Sequence, residues 1–217
     1  MNVSAVIIDT RGSDAFVYVV NNILDNMPNA TVEWFHGPDT DVQKYIGLIK
    51  NKASIRLHEL EFDPPFTLNT YNRVITSKSF YDKLYENILV FQPDSCIENI
   101  SLHTLDDFTM FDYIGAPWEE FEHWSWNNSV GNGGFSFRKK TAMLKCIEEN
   151  PYVNKPFHED VYFGWDCQHL ISVAPVEVAR RFAYETSRKY YGSFGFHKVW
   201  CYGHSNTATT DELGALQ

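Results

Sequence analysis

Short apolar runs alternate with longer amphipathic stretches along the first half of the chain. The run from Val3 to Ile8 predicts a buried strand, and DAFVYVVNNILDNM, which stops before Pro28, carries apolar residues at helical spacing. Ser13 is suited to cap that helix. TVEWFHG and ASIRLHEL predict two more strands, with a helix over DVQKYIGLIKN between them. The predicted order is therefore β-α-β-α-β.

The rest of the chain continues this alternation. A helix is predicted over TLNTYNRVITSKSFYDKLY, and an apolar strand from Ile88 to Phe91 follows it. Farther on, DYIGAP predicts a strand, TAMLKCIEEN a helix, and EDVYFGWDCQHLI a helix with one buried face. Alternation with short connections predicts one α/β domain, in which a largely parallel sheet binds ligands beyond the carboxyl ends of its strands.

Composition narrows the possible partners and the compartment. The 217 residues are 44% hydrophobic, which is ample for a packed core, and 28 Asp and Glu against 18 Lys and Arg give a net charge of -10. Such a charge disfavours nucleic acid and anionic membrane surfaces. Without an export signal or an 18-residue apolar run, we expect no membrane insertion and a cytoplasmic location. Residues 203–217 are typical of a flexible tail or a linker to a following domain.

Acidic residues follow two predicted strands at their carboxyl ends. Asp9 opens the turn DTR, so this turn is expected at a binding rim. Asp94 follows the apolar strand that ends at Phe91, where a rigid backbone would hold its carboxylate toward the crevice. Mg²⁺ or Mn²⁺ takes one or two such carboxylates and completes its shell with phosphate oxygens and water. An Asx-turn after Pro93 is the alternative role for Asp94, and the sequence leaves both open.

Three glycines stand close together in VGNGGFSFRKK, before an apolar segment and a predicted helix. Gly131, Gly133 and Gly134 permit either close approach of the backbone to a ligand or a tight turn with positive φ. No GKS or GKT follows, and the spacing differs from a dinucleotide fingerprint. The cluster therefore does not identify a ligand by itself.

The segment HEDVYFGWD, residues 158–166, places acids among aromatic side chains. Ionised carboxylates are seldom buried without a partner, so their charge requires compensation. Glu159 and Asp160 would lie in the first turn of a helix, where the helix dipole favours negative charge. The functional alternative is that Asp160 points into the crevice and removes a proton from an incoming nucleophile. The sequence leaves these alternatives open.

Two further segments are rich in aromatic residues. PWEEFEHWSWNN places three tryptophans among acids, which suits either a surface that stacks on sugar rings or an ordinary loop over the core. YYGSFGFHKVW places His197 after two glycines. A lone histidine is more often structural than ligating, although an imidazole is a competent ligand for Mn²⁺.

In their order along the chain, these segments resemble those of a metal-dependent glycosyltransferase of the GT-A fold. FQPDS resembles the DxD motif, GNGGFSFR the glycine-rich loop, HEDVYFG the xED motif, and FGFHK the segment with the metal-binding histidine. More narrowly, the chain is similar to small sugar-transferase domains of bacteria and large DNA viruses in the series YNRVITSKSFYDKL, FQPDS, YIGAPW, GNGGFSFR and EDVYF. The resemblance implies one GT-A (Rossmann-like) domain over residues 1–202, with a mostly parallel central sheet, flanking helices and a small antiparallel part.

The same resemblance implies roles for individual residues. Asp160 would be the catalytic base with Glu159 beside it, and Asp94 and His197 would hold Mn²⁺ or Mg²⁺. The implied contacts to a UDP-sugar donor are Asp9, Thr10, Arg11, Asn72, Arg73, Gln92, Ser95, Gly133 and Gly134. Gln92 departs from the family pattern because it replaces the first acid of DxD. Its amide still offers a carbonyl oxygen but carries no charge.

The implied reaction is the transfer of a hexosyl or deoxyhexosyl group from a nucleotide sugar to a glycan hydroxyl, with inversion. Gln92 favours a different interpretation, a non-catalytic module that binds nucleotide sugars, whereas Asp160 and His197 argue against it. A nucleotide-sugar hydrolase is a third interpretation, since Asp94, Asp160 and His197 would also suit water activation. Two-metal hydrolases, however, usually need a denser set of ligands than this sequence offers.

Overall fold

The computed structural model describes residues 1–118, 130–185 and 190–198. Its strands are β1 (Val3–Ile8), β2 (Thr31–His36), β3 (Ile55–Glu59), β4 (Asn87–Phe91), β5 (Ser95–Ile97), β6 (Tyr113–Pro117), β7 (Val130–Lys139), β8 (Ala183–Glu185) and β9 (Gly195–His197). Most of the tryptophan-rich segment and the predicted tail at 203–217 lie outside the described residues.

One six-stranded sheet organises the fold, in the order β3-β2-β1-β4-β7-β6. Strands β1, β2, β3 and β4 pair in parallel, whereas β7 runs antiparallel to β4 and β6. A small second sheet has the order β5-β9-β8. This arrangement confirms the predicted α/β domain with a parallel core and an antiparallel part.

The helices cover the sheet, although the helix predicted over residues 159–171 is α-helical only as far as Val161. They are α1 (Asp14–Asn26), α2 (Val42–Leu48), α3 (Leu68–Ile75), α4 (Lys78–Tyr81), α5 (Lys140–Glu149), α6 (Glu159–Val161) and α7 (Val176–Phe182), and residues Tyr162–Asp166 form a π-helical turn after α6. The side chain of Ser13 caps α1 by accepting a hydrogen bond from the N–H of Phe16, as expected. In the described part of the chain, no helix is both long enough and apolar enough to cross a bilayer.

The single helix predicted over residues 67–85 is instead two short helices. Thr76 and Ser77 interrupt it, because their hydroxyls donate hydrogen bonds to the carbonyls of Asn72 and Val74. The hydroxyl of Ser77 then caps α4 by accepting from the N–H of Phe80. Local hydrogen bonds from these side chains therefore override the helical periodicity.

Two apolar clusters form the core, one on each face of the large sheet. In β1, Ala5 and Ile7 belong to one cluster and Val6 to the other, as the alternation along a strand requires. Helix α1 packs Phe16 into the first cluster, and α5 packs Met143 into the second. A sheet covered on both faces exposes its functional surface at the strand ends.

Strand pairing brings distant segments to the carboxyl end of β4. This strand ends at Phe91, whose partner in β7 is Phe135, so the glycines just before Phe135 lie beside the segment that follows β4. Three residues later the chain enters β5, where Ser95 pairs with His197 of β9. The turn after β1 lies next to this point, because β1 and β4 are neighbours.

Candidate active site

Asp94, Gln92 and His197 converge at the carboxyl end of β4. The Nε2 atom of buried His197 lies 3.2 Å from Oδ1 of Asp94 and 3.1 Å from Oε1 of Gln92. Its Nδ1 atom lies 3.0 Å from Oε1 of Glu185. The structure thus brings together three residues that the sequence predicted for one site, and it adds Glu185.

The two carboxylates around His197 decide its charge. Burial alone would favour the neutral imidazole, but Asp94 and Glu185 outweigh that effect and raise the pKa of His197 to about 9. Burial would likewise raise the pKa of Asp94, yet the contact with His197, aided by the charge of Lys198, lowers it. At neutral pH the cluster therefore contains an imidazolium held by carboxylates.

Gly133 and Gly134 explain how the β7 backbone approaches this site so closely. A Cβ atom on Gly134 would lie 2.1 Å from Cε1 of His197, and one on Gly133 would lie 2.2 Å from Oε1 of Glu159. Neither glycine has a positive φ, unlike Gly131. Gly133 and Gly134 therefore lie within a strand and allow it to approach the side chains of Glu159 and His197, while close approach to a ligand stays a prediction.

Asp160 lies at the start of α6, and its carboxylate is held by backbone N–H groups. Oδ2 accepts a hydrogen bond from the N–H of Gly133 at 3.3 Å, and Oδ1 accepts from the N–H of Val161 at 2.8 Å. Burial raises the pKa of Asp160, although these N–H groups oppose the shift. A largely buried carboxylate with a raised pKa is suited to accept a proton. Asp160 also accepts a hydrogen bond from a backbone N–H in the first turn of α6.

Glu159 lies apart from the crevice, in a buried ion pair. Its Oε2 atom lies 2.8 Å from Nη1 of Arg138, and its Oε1 atom accepts a hydrogen bond from Nη2 at 3.3 Å. Both side chains are almost fully buried. The structure therefore gives Glu159 the role of counter-charge to Arg138 and brings only Asp160 of the acidic pair to the site.

The turn after β1 forms the other side of the site. Asp9 shapes this turn, since its Oδ1 atom accepts hydrogen bonds from the N–H groups of Arg11 and Gly12. The carbonyl of Thr10 accepts a hydrogen bond from the hydroxyl of Thr40, which ties the turn to the loop after β2. Arg11 is exposed and brings a positive charge to the rim.

A cavity of about 620 Å³ lies between this turn and the Asp94 segment. Its lining includes Thr10, Arg11, Phe66, Tyr71, Gln92 and Asp94. Burial raises the pKa of the Tyr71 hydroxyl, and the charges of Glu159 and Asp160 act in the same direction. We call this space the donor cavity; four of the nine predicted donor contacts line it, namely Asp9, Thr10, Arg11 and Gln92.

Three predicted contact residues are placed differently. The hydroxyl of buried Ser95 is used within its own turn, where it donates to the carbonyl of Gln92. Buried Asn72 accepts a hydrogen bond from the N–H of Glu159 and so supports the site from behind. Arg73 is exposed and lines a separate cavity of about 730 Å³ beside Glu59 and Glu61. The structure therefore does not bring Arg73 to the donor cavity.

Four contributors were missed from the sequence: Tyr71, Arg138, Glu185 and Lys198. Arg138 had a signal, because an arginine inside the apolar strand GFSFR must find a buried counter-charge. Tyr71 lies one position before the predicted Asn72 and had no distinguishing feature. Glu185 and Lys198 reach the site only through the pairing of β8 and β9, which a single sequence does not reveal.

The side chains around His197 fit a divalent cation, but they include fewer acidic and histidine ligands than a typical metal site. Among the described residues, no group of three or more His, Cys, Asp or Glu side chains is arranged to hold a metal ion. Asp94 and His197 nevertheless converge with the amide oxygen of Gln92, and Glu185 lies against the second imidazole nitrogen. A carboxylate behind a ligating histidine is a recurrent support in metal sites. A metal here would replace the proton that His197 now shares with Asp94.

Comparison with protein families gives one match. The model of the family described as "Protein of unknown function (DUF5672)" matches residues 55–197, about two thirds of the chain. The matched span includes Gln92, Asp94, the β7 glycines, Asp160 and His197, whereas the turn after β1 lies before it. No curated protein matches the chain.

Proposed function

This chain belongs to the DUF5672 family, and from its site we propose that it is a glycosyltransferase that moves a sugar from a nucleoside-diphosphate donor to a hydroxyl group of a glycan. The observation that carries the proposal is that two adjacent glycines of β7 lie against two different acidic sites: the N–H of Gly133 donates to Asp160, and Gly134 packs against the ring of His197, which contacts Asp94. The Asp94 cluster is suited to a diphosphate and its cation, whereas Asp160 lies outside that cluster and has its pKa raised by burial. Transfer of a sugar needs one group that stabilises the leaving diphosphate and another that accepts the proton of the attacking hydroxyl, at opposite ends of the reacting sugar.

The donor cavity supports the first function. Its volume of about 620 Å³ suits a nucleotide-sized ligand. Arg11 at its rim and Lys198 next to His197 place positive charge near the expected diphosphate. The cavity also contains Phe66 and Tyr71, which offer apolar surface for a base or a ribose. We propose uridine as the base, on the resemblance to UDP-sugar enzymes.

Mn²⁺ or Mg²⁺ is part of this proposal. Asp94 and His197 would hold it, with Gln92 beside them as an amide oxygen donor. Bound there, the ion would neutralise charge that develops on the leaving diphosphate, a contribution of several kcal/mol. Glu185 would keep the imidazole oriented through its Nδ1 atom.

Asp160 supports the second function, as general base. Its carboxylate would accept the proton of the acceptor hydroxyl while that oxygen forms a bond to the anomeric carbon. The bond from the anomeric carbon to the diphosphate oxygen breaks at the same time, and the electron pair leaves with the nucleoside diphosphate. Attack from the face opposite the leaving group would invert the anomeric centre, so NMR analysis of the product anomer tests this part.

The direct test is turnover of candidate nucleotide sugars with Mn²⁺. The protein is incubated with each UDP- and GDP-sugar and a panel of glycan acceptors, and free nucleoside diphosphate is measured with and without acceptor. Release that depends on acceptor, on metal and on Asp160 supports the proposal. Release that is equally fast without acceptor would instead identify a hydrolase.

Gln92 favours one second candidate, a module that binds nucleotide sugars without turnover. Replacing the first acid of the metal motif by an amide removes one negative charge from the cation site. Among the described residues the cation site also lacks a third His, Cys, Asp or Glu ligand. Tight donor binding without turnover with any acceptor would support this candidate.

We also propose a reducing, cytoplasmic setting for the activity. Cys146 and Cys167 are buried thiols outside any disulfide, which suits a compartment that keeps cysteines reduced. Cys201 lies outside the described residues.

A further inference from the structure

We infer that Arg138 is a positioning residue, which holds the carboxylate of Asp160 in place through two separate chains of contacts. The inference rests on the proposed role of Asp160 as the base. One chain passes through Glu159 and the other through Ser136 and Gly133. Both begin at the same guanidinium group, near the carboxyl end of β7.

Arg138 is fully buried in an apolar part of the core. Its guanidinium carbon lies 5.3 Å from the ring centre of Tyr113 and 5.4 Å from that of Phe163. A buried charge of this kind is costly unless it is paired and hydrogen-bonded, so a purely structural position would favour an apolar residue. The location of Arg138 directly behind the site therefore calls for a functional explanation.

The first chain fixes the backbone on which Asp160 stands. Arg138 contacts both carboxylate oxygens of Glu159, at 2.8 and 3.3 Å. The N–H of Glu159 also donates a hydrogen bond to Oδ1 of Asn72 at 3.3 Å. With its side chain and its N–H both held, Glu159 leaves the next residue, Asp160, little freedom to rotate as α6 begins.

The second chain fixes the carboxylate itself. The Nε atom of Arg138 donates to the hydroxyl of Ser136 at 3.0 Å, and that hydroxyl donates to the carbonyl of Gly133 at 3.2 Å. The N–H of Gly133 then donates to Oδ2 of Asp160 at 3.3 Å. The pairing of β7 with β6 is irregular at this point, so these contacts replace some of the backbone hydrogen bonds that regular pairing would form.

The pair also affects the charge of Asp160. The positive charge of Arg138 lowers the pKa of Asp160 and opposes the effect of burial, and His158 acts in the same direction. Burial and repulsion from Asp160 raise the pKa of Glu159, and because this repulsion is mutual, an ionised Glu159 opposes ionisation of Asp160. Among the described residues, Tyr71, Tyr113 and Tyr152 are also close enough to feel the charge of Asp160, which adds to burial in raising the pKa of each hydroxyl. Removing the charge of Arg138 should therefore raise the pKa of Asp160, and removing the charge of Glu159 should lower it.

The test is a ¹³C NMR titration of labelled aspartate carboxylates in the full chain, with the Asp160 signal assigned from Asp160→Asn. Arg138→Met should move the Asp160 midpoint upward by about 1 pH unit or more, because a nearby opposite charge is lost. Glu159→Gln should move it downward. Arg180→Met, which removes an arginine paired with Glu177 in α7, is the matched control and should leave it unchanged.

If Arg138→Met does not fold, Glu159→Gln and the double variant decide the question, because the double variant leaves no unpaired buried charge. Its midpoint should lie above that of Glu159→Gln. An Asp160 midpoint that is the same in the wild type, Glu159→Gln and the double variant would overturn the inference. The titration requires no turnover, so a protein that proves not to be a transferase can still pass or fail this test.

Discussion

Asp94 and His197 lie 3.2 Å apart although one follows β4 and the other ends β9. The pairing of β5 with β9 produces this contact, since Ser95 and His197 are partners in that ladder. The contact puts a carboxylate and an imidazole at the edge of the donor cavity. The proposed donor site therefore depends on the small second sheet as much as on the large one.

The role of Asp160 is tested by Asp160→Asn. The amide keeps the shape of the side chain but cannot accept the proton, so transfer should fall by about 10² to 10⁴ while donor binding is retained. Asp25→Asn, at an exposed side chain of α1, is the control and should transfer sugar at the wild-type rate. Full activity in Asp160→Asn would remove Asp160 from the mechanism.

The raised pKa of Asp160 predicts an acid limit to turnover. Burial raises this pKa, so the base form is lost as pH falls, at a higher pH than for an ordinary aspartate. The midpoint of kcat/KM on the acid side should therefore lie above that of an ordinary, exposed aspartate. A rate that stays constant down to the unfolding pH would contradict the assignment.

The Asp94–His197 contact predicts a loss of stability in mild alkali. The folded pKa of His197 is about 9, against about 6.5 in an unfolded chain. Its contribution is thus fully present below about pH 6.5 and lost as pH rises through about 9, a change of a few kcal/mol at most. Urea unfolding with a chelator should show the free energy of unfolding falling across this window. Asp94→Asn should flatten the fall, whereas His103→Gln, at a more exposed histidine, should not.

The close approach of β7 predicts a strong effect of one added methyl group. Gly134→Ala would place Cβ between 2.1 and 2.5 Å from three atoms of the His197 ring, so His197 must move. We expect lower stability and weaker metal-dependent donor binding. Gly47→Ala in α2 is the matched control, because its Cβ would meet nothing within 4 Å and alanine favours a helix. Equal melting points and equal donor affinity in the two variants would contradict this geometry.

Much of the fold follows from the sequence, because buried parallel strands and amphipathic helices leave clear periodic patterns. The runs from Val3 to Ile8 and from Ile88 to Phe91 occur as the strands that they predict, with β4 beginning one residue earlier. The long helix over 67–85 was wrong because hydroxyl side chains at Thr76 and Ser77 compete for backbone carbonyls. That competition is local and is not visible in apolar periodicity.

The site is less predictable than the fold. Asp94 and Asp160 were found because each breaks an apolar or aromatic surrounding. The distinction between Glu159 and Asp160 was not found, since neighbouring acids look alike until Arg138 is seen to pair with one of them. Arg73 was likewise grouped with Asn72, although neighbouring residues on a helix point in different directions and only one faces the site.

The most direct test of the proposed donor site is a thermal-shift measurement of nucleotide binding. UDP, GDP, CDP and ADP are each tested with Mn²⁺, with Mg²⁺ and with a chelator. At 100 times its dissociation constant, the correct diphosphate should raise the melting temperature by about 5 to 11 °C for a chain of this size. A metal-dependent donor site predicts a shift with one diphosphate in the presence of a metal. This shift should disappear when the chelator is added and in Asp94→Ala. No shift with any nucleotide, or a shift of equal size in Asp94→Ala and with the chelator, would contradict a metal-dependent donor site.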